Sequence, residues 1–192
     1  MAVTRLAFAV YFITLFWLHF SNFFPRAQTE FTWLLYLIVL YLVAEKLYSI
    51  FRSQGIDLTF AWPLLFFVYL LSGATLFLGS QDDFPLLNRA EHYICFILIT
   101  YIIWVFFTKY LPQAVWIKHP YYTAILVLAI SSLAGVLNEI FEVTSDFLLN
   151  THMVGLQYDT SLDLLMNILG SITFLGVWLI ISTSSAPNKS VE

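Results

Sequence analysis

Six apolar runs, near residues 6–24, 31–51, 58–79, 91–111, 121–143 and 162–183, dominate this chain, and short polar breaks separate them. A bilayer crossing takes about 20 apolar residues. Hydrocarbon offers backbone N–H and C=O groups no water, so each run must satisfy its own hydrogen bonds as a helix. Only 10% of residues are charged, against about a quarter in a soluble domain. The expected fold is all-α: a polytopic membrane protein built as a bundle of about six transmembrane helices. Little chain remains outside the runs, so 1–183 reads as a single transmembrane domain and 184–192 as a disordered cytoplasmic tail.

The breaks follow local rules. Phe24-Pro25-Arg26 ends the first run because proline cannot continue a helix. Gly55 supplies the turn after the second, and Pro63 is tolerable one turn into the third. Glu45 and Lys46 read as solvated or snorkelling helix ends. His19 reads as interfacial, with a site-lining role as the alternative. The first run follows Arg5 without an A-x-A cleavage site, which favours a retained helix over a removed signal peptide. Cys95 is the single cysteine, so no intramolecular disulfide can form.

Six spans put both termini on one side. Arg5, Lys46, Arg52, Lys109, Lys118 and Lys189, six of the eight basic residues, fall on that side, which the positive-inside rule makes cytoplasmic. Nine of the twelve acids fall on the other side. An acidic outer face argues against nucleic acid as a partner, and no phosphate-binding glycine loop is present.

The acids are densest between Asn138 and Ser171. On a helix Glu139, Glu142 and Asp146 lie within about 60° of one another, and Asp159, Asp163 and Asn167 repeat every fourth residue, with Gly170 in the same arc. Arg89 and His92 share a face at the start of the fourth run. The three groups can meet at the outer rim of the bundle in a shallow pocket, since Asn167 lies only about 6 Å deeper than Asp163.

Acids at a helix C-terminus oppose its dipole, so something cationic should answer Glu142 and Asp146. Arg89 with a protonated His92 is one answer, a divalent metal held by carboxylates and one imidazole is a second, and a cationic substrate group is a third. No HExxH or paired-cysteine spacing supports the metal. The plain alternatives are solvated helix ends, a Thr160-x-x-Asp163 capping box, and an Asn167 that only bonds across helices. A Cys95–His92 nucleophile is disfavoured because acidic neighbours oppose a thiolate.

Arg89-x-x-His92, Glu139-x-x-Glu142 and Asp159-x-x-x-Asp163-x-x-x-Asn167-x-x-Gly170, in that order, resemble the YjdF-like family of bacterial inner-membrane proteins and, more distantly, the VanZ-like family linked to glycopeptide resistance. The resemblance covers about 83–171 and implies a multi-pass inner-membrane protein with these residues in its site. Asn88 stands where those families usually carry an aspartate before the arginine. The expected function is to bind or process an envelope substrate, such as a lipid-linked one. Glu142, Asp163, His92 and Arg89 are the candidate catalytic residues, and Glu139, Asp159 and Asn167 the candidate substrate-binding ones. The alternatives are a transporter or channel for a cation or small solute, or a non-catalytic structural partner. Topology reporters inserted within 80–90 and within 150–161 are expected to read the same, external side; opposite sides would dismantle the site.

Overall fold

The computed structural model describes residues 2–21, 31–78, 85–112, 115, 118–149, 154 and 158–184. They form α1 (Ala2–Phe20), α2 (Phe31–Ser53), α3 (Ala61–Leu78), α4 (Pro85–Tyr110), α5 (Pro120–Leu149) and α6 (Asp159–Ser184). Every helix but α3 is long and apolar enough to cross a membrane; the apolar stretch of α3, Ala61–Ala74, is shorter. The tail expected over 184–192 lies outside the described residues beyond Ser184.

Helix starts follow proline chemistry. Pro85 and Pro120 are the first residues of α4 and α5, and Pro63 sits in the first turn of α3, where a missing N–H costs nothing and a fixed φ helps. After α2 the chain closes a Schellman motif: Ile56 N–H donates to Phe51 O at 2.9 Å and Gly55 N–H to Arg52 O at 3.0 Å, with Gly55 at φ 74°. Several boundaries run further than hydropathy predicts, among them Pro85 rather than 91, Leu149 rather than 143 and Asp159 rather than 162. The added turns carry Asn88, Arg89, Asp146 and Asp159. Hydropathy stops at such residues, whereas the helices continue because their side chains find partners.

Helix α4 is the central element, packed most extensively on α6 and next on α3. On one side, α1, α2 and α3 build an aromatic core around the fully buried Phe8. Its ring lies 4.7 Å from Tyr41 and 5.1 Å from both Phe66 and Tyr69, within the range where aromatic pairs attract beyond their area. On the other side, Trp104 of α4, Ala124 and Val127 of α5 and Leu175 of α6 form a second core, in which the Trp104 and Trp178 rings are 4.0 Å apart. Leu133, Leu137, Ile140 and Phe141 of α5 face outward, as a lipid-facing surface requires.

Where α1 begins and α2 ends, Arg5 donates to both oxygens of Glu45, at 2.7 and 2.6 Å, and Tyr41 adds a third bond at 2.9 Å. Glu45 is thus a helix-pairing residue rather than a merely solvated end. A bidentate guanidinium–carboxylate bond fixes geometry more firmly than a point charge does.

Helices α4 and α6 approach at Gly170. A Cβ there would overlap the Tyr93 carbonyl oxygen and stand 3.3 Å from Ile97 N. Gly170→Ala is therefore expected to cost about 1–3 kcal/mol through forced separation of the two helices. Gly176→Ala, where a Cβ meets nothing within 4 Å, should gain about 0.5–1 kcal/mol of helix propensity. Thermal unfolding of both variants in detergent measures the contrast.

Candidate functional site

Helices α4 and α6 begin at the same end of the bundle and run parallel, while α5 ends there. Partners across α4 and α6 are consequently spaced alike: Asn88 with Asp163 and His92 with Asn167 are each 75 positions apart. One helical turn on either helix steps from the first pair to the second. Glu139 of α5 lies about 15 Å before the end of its helix, level with this pair of turns.

The centre is closed and polar. Arg89 donates through Nη1 to Asp163 and through Nη2 to Asp159. The Asn88 amide donates to both oxygens of Asp163, at 3.3 and 3.4 Å. His92 Nδ1 is 3.1 Å from Asn167 Oδ1, and its Nε2 is 3.6 Å from Asp163 Oδ1, beyond hydrogen-bond reach. Asp163 is 0% exposed, Asn167 1% and Glu139 4%. Asn138 donates to Glu142 at 2.7 Å; this second glutamate is only half-buried.

Two atoms stand out. Glu139 Oε1 and Asn167 Nδ2 are buried without a hydrogen-bond partner among the described residues, and an unsatisfied buried polar group costs about 1–3 kcal/mol. Next to the Asn167 amide the chain places Gly135, whose Cβ would come within 3.1 Å of Nδ2. Ligand atoms of His92, Glu139 and Asp163 all lie within 4.8 Å of one another. These three side chains are the ones that can hold a metal ion.

Deeper in the bundle polarity fades in steps. Thr100, Ser131 and Ser171, all 0% exposed, join at mid-helix: Thr100 Oγ1 is 3.1 Å from Ser131 Oγ and 2.9 Å from Ser171 Oγ. Ser171 in turn donates to the Asn167 carbonyl at 2.9 Å. Beyond them lies the apolar core around Val127, Leu175 and Trp104.

The sequence reading named Arg89, His92, Glu139, Glu142, Asp159, Asp163 and Asn167, and all seven belong to this one end of α4, α5 and α6. Their pairing is more specific than the reading foresaw. Arg89 is fully engaged by two carboxylates, and Asp163 points across to α4 rather than serving as a capping-box acid. Asp146 accepts the backbone N–H of Val154 at 2.8 Å, which ties down the chain after α5. His19 packs edge-on against Phe20 at the end of α1. Cys95 has no share in the imidazole, whose nitrogens face Asn167 and Asp163.

Four contributors were missed: Asn88, Gly135 and the hydroxyls of Thr100 and Ser131. The hydroxyls carried a usable signal, since each is a polar residue near the middle of an apolar run. Glu91 accepts a hydrogen bond from Ser72 of α3, on a different face of α4 from the polar centre. Adjacent residues on a helix point about 100° apart, so Glu91 and His92 serve different interfaces.

Arg89→Gln leaves Asp159 and Asp163 buried without their guanidinium, and removing one partner of a buried pair costs about 3–5 kcal/mol. Combining it with Asp163→Asn should cost less than the sum of the singles by more than about 1 kcal/mol. Chemical or thermal unfolding of the four proteins in detergent gives the coupling.

Comparison with known proteins adds identity to this geometry. Among curated proteins and among solved structures, nothing matches the chain. A family model does match, over residues 3–184, nearly the whole chain. It covers all six helices and every residue of the polar centre, and it is the family to which the YjdF-like resemblance pointed. The chain belongs to the family described as predicted membrane protein (DUF2238).

Proposed function

We propose that this protein takes an envelope substrate, a lipid-linked one, into the polar end of α4, α5 and α6 from the outer side of the bacterial inner membrane, and processes it there by acid/base chemistry. Both termini then lie in the cytoplasm. The observation that carries the reading is the polarity gradient of the bundle. Ionisable groups crowd one end, hydroxyls occupy the middle, and Trp104, Val127 and Leu175 close the remainder. A site wet from one side suits a substrate that enters and leaves on that side.

Roles follow from exposure and pairing. Glu142 is the half-exposed acid, with Asn138 holding one of its oxygens, so its other oxygen is placed to exchange a proton with a bound group. Glu139, buried one turn deeper, has an oxygen to offer. Asp163 is fixed by Arg89 and Asn88 and shapes the floor. Arg89 is a positioning residue in this scheme, because Asp159 and Asp163 already take its fork. Exposed apolar side chains at the same end, Leu86 on α4 and Leu162 on α6, offer a surface to an acyl chain. The distant VanZ-like resemblance points to the same class of envelope substrate.

A transporter is the second reading, favoured by the Thr100–Ser131–Ser171 hydroxyls that extend polarity to mid-bundle. Against it stands the absence, among the described residues of α4, α5 and α6, of any Asp, Glu, His, Lys or Arg side chain between these hydroxyls and Lys109 in the last turn of α4, where many transporters carry their substrate site near mid-membrane.

Deletion of the protein is expected to change the profile of outer-leaflet lipid-linked species in a lipid extract read by mass spectrometry. Wild type should restore it; Glu142→Gln and Asp163→Asn should not, at equal membrane insertion. Restoration by both variants refutes the acid/base reading. Flux of an unmodified solute in proteoliposomes would replace it with transport.

A further inference from the structure

We infer that His92, Glu139 and Asp163 bind a divalent transition-metal ion of the zinc or manganese type, with one coordination position left open toward the half-exposed Glu142. The inference deepens the proposed function, resting on the same polar end being a site, and it is argued from four features of that end.

The first is the choice of nitrogen. Asn167 Oδ1 stands 3.1 Å from His92 Nδ1, and a carbonyl oxygen can only accept. The Nδ1 nitrogen therefore carries a proton, and in the neutral imidazole Nε2 keeps its lone pair on the side of Asp163. A carbonyl or carboxylate behind the far ring nitrogen is the usual arrangement that orients a metal-binding histidine. Nε2 sits 3.6 Å from Asp163 Oδ1, too far for a hydrogen bond and close enough for both atoms to share an ion.

The second is the buried, unpartnered oxygen. Glu139 is 4% exposed, Asn138 and Thr160 stand beside its carboxylate, and Oε1 still has no partner among the described residues. A carboxylate oxygen left over in a membrane bundle calls for a cation or a donor. The nearest cation, Arg89, is spent on Asp159 and Asp163.

Charge balance is the third. Asp159 and Asp163 share the single guanidinium of Arg89, and Glu139 lies beside Asp163 without an ion-pair partner of its own among the described residues. With these three acids ionised the sum is −3 + 1 = −2, which one divalent cation would neutralise.

Size is the fourth. The three ligand atoms lie within 4.8 Å of one another. Metal–ligand bonds of about 2.0–2.2 Å place neighbouring ligand atoms about 3–3.5 Å apart, so small side-chain rotations close the site. One imidazole with two carboxylates is a donor set for zinc or manganese and leaves a position free. Asn167 acts through His92 and is a positioning residue.

The test uses the full-length protein in nanodiscs, stripped with chelator and then titrated separately with zinc, manganese and magnesium chloride. Bound metal is read by mass spectrometry and calorimetry. Wild type is expected to hold about one zinc or manganese per chain and to lose it in His92→Ala and Glu139→Gln. Asn167→Ala should weaken binding about 10- to 100-fold, with rescue by Asn167→Asp, which still accepts the Nδ1 proton; a purely structural role would not sort these two. Glu45→Gln, at the opposite end of the bundle, should bind as wild type does. No metal on folded wild type overturns the inference, as does metal that survives both ligand variants. Should those variants fail to fold, X-ray absorption of loaded wild type decides: one imidazole among oxygen ligands upholds the site, and a shell without imidazole overturns it. Because no substrate is present, a positive result beside an unchanged lipid profile leaves the metal standing and removes only the proposed activity.

Discussion

A carboxylate at 0% exposure inside a membrane bundle is the constraint around which this protein is arranged. Asp163 has that burial, and removing its charge from water costs several kcal/mol unless partners compensate. Compensation comes from one neighbouring helix: Arg89 and Asn88 both belong to α4. The requirement therefore sets the register of α4 against α6. Gly170 then lets the backbones close below it, on Tyr93 and Ile97, and the same parallel register carries down to the Trp104–Trp178 pair. Two parallel helices also bring their N-termini together, and the positive ends of both dipoles favour Asp159 and Asp163 where they stand.

Helix α5 runs the other way and brings a negative end to the same place. Its contribution is acidic as well, so Glu139 and Glu142 face a region where Arg89 is already committed. The cost of that arrangement is visible in the leftover oxygen of Glu139. Structures retain such a cost where the group acts on something besides its own fold. Asn88 fits the same economy of charge. Its amide donates to Asp163; an aspartate in that position would accept rather than donate and would add a fifth acid to Glu139, Glu142, Asp159 and Asp163.

Apolar run length made the helices legible, and helical spacing made the polar faces legible, because both depend on local pattern. Asp163 and Asn167 repeat at four, as do Asn88 and His92, so each stripe could be read from one segment alone. Pairings between segments could not. That Arg89 bridges Asp159 and Asp163, and that Glu139 is left with an unmatched oxygen, depends on how deeply each helix sits and how it is rotated. The helix ends were missed for a related reason: hydropathy treats Asn88, Arg89 and Asp146 as exits from the membrane, whereas neighbouring side chains let them continue the helix. Glu45 was misread similarly, its Arg5 partner lying 40 residues away.

The hydroxyls below the centre decide how far its polarity reaches. Thr100 and Ser171 each donate to the carbonyl four residues back, on Phe96 and Asn167, so much of their hydrogen-bonding capacity is spent within their own helices. What remains is the proton of Ser131, which can be donated to Thr100 and links α5 to α4 at mid-bundle with a bond worth about 0.6–2 kcal/mol in a membrane. Such bonds hold helices together and carry no charge. Past them Val127 and Leu175 are buried among aromatic rings, an environment in which an ion or a hydrated solute has nothing to replace its water. Charge, amide, hydroxyl and hydrocarbon thus follow one another along a single axis, and a molecule drawn to the charged end meets rising desolvation cost with every turn it descends.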